Sequence, residues 1–307
     1  MNINKLKTRM SRDGMIAYAP DGPLTVRFDR EETDNLLKRK IDYDKYDYLC
    51  EVAHLEISNT CNMDCSYCYV PNKGGGELSK EQWILIIDRL HDYGVFQITF
   101  GGGEPTLVPY LIELAEYANE LGLNVGMTTN GSTLTTFDPN ILKNLFRQIN
   151  VSWHENYDQV EKALKYLYEN DIKAGINYCF SRGMVKDNED VKHLAMVYDA
   201  EVLYLAYKPV IGDEENLVDP KEIYKIAKEA ANEKLKVAVD GPCAGMCLMK
   251  KRFCDINHHG DVFPCSFVRE PMGNVLVSDF KTIWKNRGQQ DKCPYIEIEE
   301  KEVIGGK

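Results

Sequence analysis

Three features that would define common protein classes are missing from this sequence of 307 residues. No stretch approaches the roughly 18 uninterrupted apolar residues of a membrane span, and the N-terminal residues contain no apolar run long enough for a signal peptide. Basic residues do not prevail, since 37 Lys and Arg residues stand against 48 Asp and Glu residues, a net charge of −11. We therefore expect a cytoplasmic protein without a membrane partner. Duplex nucleic acid is disfavoured as a partner because its binding requires a basic surface. A cationic partner is favoured, because the negative charge of this protein would attract it.

The cysteines, in contrast, are numerous. The chain has ten of them, and the cytosol does not keep structural disulfides. Most fall into two groups: Cys61, Cys65 and Cys68 in the first, and Cys243, Cys247, Cys254, Cys265 and Cys293 in the second. Clustered thiols in a reducing compartment bind metal or take part in redox chemistry. The sequence thus predicts two cysteine-rich centres.

Between these groups, short β-rich runs alternate with amphipathic stretches of helical period. The runs are HLEIS (54–58), FQITF (96–100), NVGMTT (124–129), INVSW (149–153), GINYCF (175–180) and VLYLAY (202–207). Such an alternation predicts parallel strands with right-handed crossovers, hence a barrel or an open doubly wound α/β sheet. In either architecture, functional residues gather at the C-terminal ends of the strands.

The segments on either side of this core differ in pattern. In residues 1–50, a turn signal (APDGP) separates two β-rich runs and predicts a small hairpin. After a last amphipathic helix, short strands, glycines and cysteines predominate, which indicates a compact metal-bound module. We therefore divide the chain into a lead-in (1–50), an α/β core (51–238) and a cysteine-rich module with its tail (239–307).

The first cysteine group follows the first strand of the core directly, with the spacing Cys-x3-Cys-x2-Cys. Structural zinc requires four ligands, usually as paired Cys-x2-Cys arms, and only three are local here. A 4Fe–4S cluster held by three thiolates leaves one iron open for a small molecule. The spacing favours iron–sulfur, with zinc as the alternative.

This spacing, with Tyr67 just before Cys68, resembles the signature of the radical S-adenosylmethionine (SAM) enzymes. One β/α unit later, GGGEP (101–105) is similar to the glycine–glycine–glutamate motif of that family. The resemblance implies a partial (β/α)6 barrel whose cluster binds SAM. Gly102 and Gly103 would let the backbone approach the ligand, and Glu104 would accept a hydrogen bond from the methionyl amine.

Further positions match the family along the chain. Thr129 and Asn130, in TTNGS, would line the SAM pocket at the end of the third strand, and Ser152 and Asn177 would contact SAM from the next two strands. For Ser152 and Asn177, ordinary polar packing in the barrel lumen is an equal alternative. Where the family often has Ser-x-Asp-Gly, this chain has Ser-Trp-His-Glu, so His154 and Glu155 are candidates for substrate recognition.

The second cysteine group resembles the SPASM and twitch modules of many radical SAM enzymes, because Cys247 is followed by twelve residues, Gly260, four residues and Cys265. The resemblance implies a twitch-like module with one auxiliary 4Fe–4S cluster. Cys247, Cys265 and Cys293 match best, and either Cys243 or Cys254 would be the fourth ligand. Two alternatives stay open: three thiolates with a site left for substrate, or a structural zinc ion.

The resemblance also implies the activity. Reductive cleavage of SAM would give a 5′-deoxyadenosyl radical that abstracts a substrate hydrogen, with flavodoxin or ferredoxin as electron donor. SPASM and twitch enzymes often modify peptides or proteins by crosslinking, epimerisation or oxidation, so we expect such a substrate. The alternatives are a small-molecule dehydrogenase and a non-catalytic iron–sulfur or zinc protein.

Cys179 stands apart from both cysteine groups. It shares a strand face with Asn177, two residues away, and is a candidate hydrogen-atom donor to a substrate radical. Ordinary core packing is the alternative, because free cysteine is among the most buried residue types.

Overall fold

A small antiparallel sheet precedes the α/β core. The computed structural model describes residues 7–19, 25–70, 76–209, 212–245, 247 and 249–288. Its first elements are β1 (Lys7–Ser11), β2 (Gly14–Tyr18), β3 (Thr25–Phe28) and α1 (Arg30–Leu37). Strand β2 pairs antiparallel with both β1 and β3, so β2 and β3 are the arms expected for the hairpin and β1 adds a third strand.

The core consists of strands and helices in strict alternation, as the hydrophobic pattern predicts. Its elements are β4 (Val52–Ser58), α2 (Lys80–Tyr93), β5 (Gln97–Gly102), α3 (Leu111–Glu120), β6 (Asn124–Thr129), α4 (Pro139–Leu145), β7 (Gln148–Ser152), α5 (Tyr157–Glu169), β8 (Ala174–Phe180), α6 (Asn188–Val197), β9 (Glu201–Ala206), α7 (Pro220–Asn232) and β10 (Val237–Val239).

Strands β4 to β10 lie side by side in chain order and all pair in parallel. The predicted α/β class with a parallel-stranded partial barrel is confirmed. Beyond the six predicted strands, β10 adds a seventh, which is too short for its pattern to stand out from the preceding helix. No helix among the described residues has the length and apolarity needed to cross a membrane.

The C-terminal region continues the same sheet. Its elements are β11 (Phe253–Ile256), β12 (Asp261–Phe263), β13 (Gly273–Asn274) and α8 (Phe280–Lys285). Strand β11 pairs in parallel with β4, and β12 and β13 follow as antiparallel neighbours. The cysteine-rich region is therefore hydrogen-bonded directly to the first strand of the core.

Alternate residues of each core strand face either the helices or the inner side of the sheet. In β4, Ala53, Leu55 and Ile57 are fully buried in the hydrophobic core that the helices cover. In β8, Asn177 and Cys179 share the opposite face and are only partly buried. Because strand side chains alternate, this face carries the polar residues and is the inner side of the barrel.

Helix α2 shows why the sequence forms these elements where it does. Ser79 caps its N-terminus in a capping box with Gln82, and Gly94 ends it with a φ of 97°, a left-handed conformation that suits glycine. Between them, Trp83 and Ile86 are fully buried against the sheet. Burial of such side chains contributes roughly 1.5–3 kcal/mol each.

Candidate active site and metal centres

The first cysteine group lies in the loop that follows β4, at the C-terminal edge of the parallel sheet. Cys61, Cys65 and Cys68 are all partly exposed. The Cys68 N–H donates to the Cys65 carbonyl at 3.2 Å, which forms a tight turn between the second and third thiols. At the start of the loop, Ser58 Oγ donates to Glu77 Oε1 at 2.5 Å and helps to fix its position.

The spacing of these thiols tests which metal centre they fit. Thiolates around one zinc ion, at bond lengths of about 2.3 Å, lie within roughly 4 Å of one another. Among the described residues, only His54, Glu56 and Asp255 bring three ligand atoms within 4.8 Å of one another. The sulfurs of Cys61, Cys65 and Cys68 are therefore not all as close as ligands of a single zinc ion, which fits the larger 4Fe–4S cluster better.

The glycine-rich end of β5 packs closely against this cysteine loop. The Gly103 N–H donates to the Ser58 carbonyl at 2.7 Å, and the Glu104 N–H donates to the Thr60 carbonyl at 2.8 Å. A Cβ atom on Gly103 would overlap the Thr60 carbonyl, and one on Gly102, whose φ is +110°, would overlap the Ser58 carbonyl. We expected open space for a ligand beside these glycines, but the neighbouring backbone fills it. Their contact with SAM remains a prediction.

Glu104 is fully buried at the end of β5, with 1% of its surface exposed. Its Oε1 accepts hydrogen bonds from the Thr129 hydroxyl at 2.6 Å and from the Thr106 hydroxyl and N–H at 2.6 and 3.1 Å. Its Oε2 accepts the Asn130 N–H at 2.7 Å. Three of these bonds converge on Oε1 and one reaches Oε2, so Oε2 keeps acceptor capacity. Acceptance of a hydrogen bond from a SAM amine by Glu104 stays a prediction.

Asn130, at the end of β6, connects Glu104 to the cysteine loop. Its Nδ2 donates to Asn62 Oδ1 at 2.8 Å, and Asn62 Nδ2 donates to Ser132 Oγ at 2.8 Å. Gln159 from α5 donates to the Asn130 carbonyl, also at 2.8 Å. Sequence reasoning missed Asn62, whose only signal was its position between the first two cysteines.

Tyr67 and His154 form a second connection between the cysteine loop and the sheet. The Tyr67 hydroxyl lies 3.1 Å from the Trp153 carbonyl and 2.8 Å from His154 Nδ1. His154 Nδ1 also lies 3.5 Å from Cys65 Sγ. Burial lowers the pKa of His154 to about 4, so the imidazole is neutral. His154, a candidate for substrate recognition, thus contacts the cysteine loop directly.

Ser152 and Asn177 are register partners on β7 and β8. Asn177 Oδ1 accepts a hydrogen bond from Asn150 Nδ2 at 3.0 Å, and its Nδ2 lies 3.4 Å from Thr128 Oγ1. These contacts form a polar network across the inner face. They fit the alternative that Asn177 is a lumen residue, while contact with SAM remains a prediction.

Cys179 lies farther along the same face of β8. Burial raises the pKa of its thiol to about 11, against the opposing effect of the nearby Lys208, so the thiol keeps its proton at neutral pH. Lys208 is itself buried, with Nζ 2.6 Å from Asp240 Oδ2 and 4.8 Å from the centre of the Phe267 ring. Sequence reasoning did not identify this ion pair, because its members lie in different loops.

Cys243, Cys247 and Cys265 of the late group lie among the described residues. Cys243 is buried and its N–H donates to Asp240 Oδ1 at 3.3 Å, while Cys247 and Cys265 are partly exposed. Cys243 is thus next to the ion pair beside Cys179. Cys293 lies outside the described residues.

Cys254 contacts Cys50 rather than another late cysteine. Its side chain is fully buried in the hydrophobic core, with Sγ 3.5 Å from Cys50 Sγ. Because side chains alternate along a strand, Cys254 faces the core while Asp255 faces the inner side of the sheet. The choice between Cys243 and Cys254 as the fourth ligand stays a prediction.

A buried polar cluster joins β4 to the C-terminal region. His54 Nδ1 lies 3.1 Å from Asp255 Oδ2, and Arg269 Nη2 donates to Glu56 Oε1 at 2.6 Å. Burial, together with the charge of Asp255, raises the pKa of Glu56 to about 7. For His54, burial lowers the pKa, but attraction to Asp255 outweighs this effect and the net shift is upward.

Comparison with known proteins identifies two family models in the chain. The model of the radical SAM superfamily matches residues 55–201, and that of the SPASM iron–sulfur cluster-binding domain matches residues 247–302. Together they imply 4Fe–4S clusters and SAM as cofactors.

Two relatives share higher identity over part of the chain. A SAM-dependent nucleotide dehydratase of Flammeovirga pacifica is 43% identical over 90 residues, which is 27% of this chain and 31% of the relative. The sporulation killing factor maturation protein SkfB of Bacillus subtilis is 32% identical over 160 residues, 50% of this chain and 38% of SkfB. The aligned segments therefore span about a third of these two relatives.

The fold is matched over a greater length. The structure of SuiB from Streptococcus suis bound to the precursor peptide SuiA superposes with a TM-score of 0.73 at 15% identity, covering 91% of this chain and 87% of SuiB. At this identity the likeness concerns the fold alone. The two family models lead to the conclusion that the chain belongs to the radical SAM superfamily of enzymes and carries a SPASM iron–sulfur cluster-binding region on its C-terminal side.

Proposed function

We propose that this enzyme abstracts a hydrogen atom from a peptide or protein and thereby crosslinks, epimerises or oxidises it. The observation that carries the proposal is the packing of the Cys61, Cys65 and Cys68 loop against the glycine-rich end of β5. When bound, the cluster and SAM supply a 5′-deoxyadenosyl radical, with electrons from a flavodoxin or ferredoxin. The protein binds these groups, orients the substrate C–H bond and excludes water.

Hydrogen bonds within the chain fix the cysteine loop. The hydrogen bonds from Gly103 and Glu104 to the loop backbone attach it to β5, and the Asn62–Asn130 bond attaches it to β6. A loop held from two strands keeps its thiols in one arrangement. This supports the assignment of Cys61, Cys65 and Cys68 as ligands, with SAM bound beside Gly102, Gly103, Glu104, Thr129 and Asn130.

We assign one auxiliary cluster to the C-terminal region, with Cys243, Cys247, Cys265 and Cys293 as its ligands. The contact of Cys254 with Cys50 supports this choice, since it engages the Cys254 thiol with a partner outside the late cysteine group. Asp240 supports it as well, because it contacts both Cys243 and Lys208. The auxiliary site would thus lie next to the inner face on which Cys179 sits.

Cys179 is the proposed hydrogen-atom donor if the reaction is an epimerisation. Its protonated thiol would give a hydrogen atom to the substrate carbon radical and become a thiyl radical. One electron from the flavodoxin or ferredoxin and one proton would then restore the thiol. In heavy water, the wild-type enzyme should place deuterium in the product, whereas Cys179→Ala should not invert the centre. Full inversion by the variant at the normal rate would leave Cys179 as core packing.

The names of the relatives support a peptide substrate. SkfB is named as a maturation protein, and the SuiB structure contains a precursor peptide. The net charge of −11 suits a cationic peptide. A small molecule is the second candidate, since the dehydratase relative is named for nucleotides.

The test uses the anaerobically reconstituted enzyme with SAM, dithionite and synthetic peptides encoded beside its gene. We expect 5′-deoxyadenosine release and a peptide mass lowered by two hydrogens, or unchanged with deuterium uptake for an epimerase. A matched reaction contains nucleotides in place of the peptides. Turnover of nucleotides but of no peptide would contradict the proposed substrate class, and absence of 5′-deoxyadenosine would contradict the chemistry.

A further inference from the structure

His154 reaches the cysteine loop from another part of the sheet. It follows the end of β7, which is separated from β4 by β5 and β6. Its Nδ1 nevertheless lies 3.5 Å from Cys65 Sγ and 2.8 Å from the Tyr67 hydroxyl oxygen. A separation of 3.5 Å is an ordinary hydrogen-bond length for sulfur, whose radius is larger than that of oxygen.

Only one arrangement of protons satisfies all of these contacts once Cys65 is an iron ligand. A ligating thiolate has lost its proton and can only accept a hydrogen bond. If Tyr67 donated its hydroxyl proton to Nδ1, the lone pairs of that nitrogen and of the thiolate would face each other. If Tyr67 donates to the Trp153 carbonyl at 3.1 Å, Nδ1 carries the proton and shares it between Tyr67 and Cys65.

We infer that His154 donates its Nδ1–H to the Cys65 thiolate and thereby raises the reduction potential of the SAM-binding cluster. Reduction adds negative charge to the cluster, and an N–H dipole directed at a ligand sulfur stabilises that charge. Hydrogen bonds to cluster sulfurs are among the factors that set iron–sulfur potentials. His154 is partly buried, and a low local dielectric strengthens the interaction.

This role makes His154 a positioning residue that acts through Cys65. It rests on the proposed ligation of the cluster by Cys65, and it goes beyond that proposal by adding a residue that tunes the cluster. The benefit is chemical: a higher potential lets a donor such as flavodoxin populate the reduced cluster more readily.

The experiment compares His154→Leu, which removes the donor, with His154→Asn, whose side-chain N–H lies close to the position of Nδ1. The reduction potential of the clusters in each reconstituted holoenzyme is measured by redox titration, with the reduced clusters detected by electron paramagnetic resonance. The signal that changes on SAM addition identifies the SAM-binding cluster and separates it from the auxiliary one. His91→Leu, at the end of α2, serves as the matched control because it replaces a histidine away from the loop.

At one fixed potential, we expect the ratio of reduced to oxidised cluster in His154→Leu to be up to about tenfold lower than in wild type. For a one-electron couple, this corresponds to a reduction potential lowered by about 59 mV. His154→Asn and His91→Leu should retain the wild-type potential. An unshifted potential in His154→Leu with a full cluster content would overturn the inference.

A second measurement covers the case in which His154→Leu loses its cluster. In wild-type enzyme with 15N-labelled histidine, pulsed electron paramagnetic resonance should detect a histidine nitrogen coupled to the reduced SAM-binding cluster. The same signal should be missing from His154→Asn. Its absence from wild type would overturn the hydrogen bond. A wild-type protein with no SAM-sensitive signal at all would instead contradict the proposed function.

Discussion

The Asn130 N–H donates to Glu104 Oε2 at 2.7 Å, which ties the end of β6 to the end of β5. From Asn130 the connection continues through Asn62 into the cysteine loop. The arrangement of the loop thus depends on Glu104 through hydrogen bonds within the chain. Replacement of Glu104 is expected to affect the fold as well as SAM binding, and the two effects can be measured separately.

Glu104→Gln should lower the free energy of unfolding by about 2–3 kcal/mol, because a buried charge-assisted acceptor is replaced by an amide that cannot accept on both atoms. Urea unfolding of the anaerobic protein measures the change. Glu113→Gln is the control, since Glu113 pairs with Lys80 on the surface and should cost less than about 1 kcal/mol. Equal losses in the two variants would contradict the structural role of Glu104.

Gly103→Ala should destabilise the protein by about 1–3 kcal/mol and reduce iron incorporation, since its Cβ would overlap the Thr60 carbonyl of the cysteine loop. Gly183→Ala is the matched control, because a Cβ there meets its nearest atom, Ser181 Oγ, at 4.0 Å. Thermal unfolding and iron content are measured for both. Wild-type stability of Gly103→Ala would show that the close packing seen here is not required.

Cys254→Ala should keep a full auxiliary cluster and lose only roughly 1 kcal/mol of stability, as an average core replacement does. Cys265→Ala should lose the auxiliary cluster, because Cys265 is a proposed ligand. Iron and sulfide analysis with absorption spectroscopy distinguishes the two. Loss of the auxiliary cluster in Cys254→Ala would restore Cys254 as a ligand.

Replacement of Cys61, Cys65 and Cys68 together by Ala should abolish 5′-deoxyadenosine formation. The auxiliary cluster should remain, with roughly four iron and four sulfide per chain, as a cubane contains. Zinc without sulfide in this variant would identify a structural zinc site instead. Continued SAM cleavage would refute the assignment of the first cysteine group.

The contribution of Glu56 to stability should fall as the pH rises from about 4.5 to about 7. In this window an unfolded Glu56 ionises while the folded one keeps its proton, since burial raises its folded pKa to about 7 from 4.5. His54 acts in the same direction, because its folded pKa is also raised and its stabilising charge is lost with increasing pH. In urea unfolding at several pH values, the wild type should lose free energy of unfolding relative to Glu56→Gln across this window, and a constant difference between the two would contradict this account.

Local patterns were sufficient to predict the class of fold and the first cysteine group. Buried strands of five to seven residues alternate with capped amphipathic helices, and each signal lies within one segment of the chain. The spacing of Cys61, Cys65 and Cys68 is equally local. The strand alternation also predicted correctly that Asn177 and Cys179 share a face.

Contacts between distant segments were decided only by the tertiary structure. Strand register buried Cys254 beside Cys50, 204 residues away in sequence. The order of strands brought His154 to Cys65 across 89 residues. The sequence of a strand specifies which of its side chains share a face. The register between strands decides which partner each side chain contacts, and this register depends on the packing of the whole sheet.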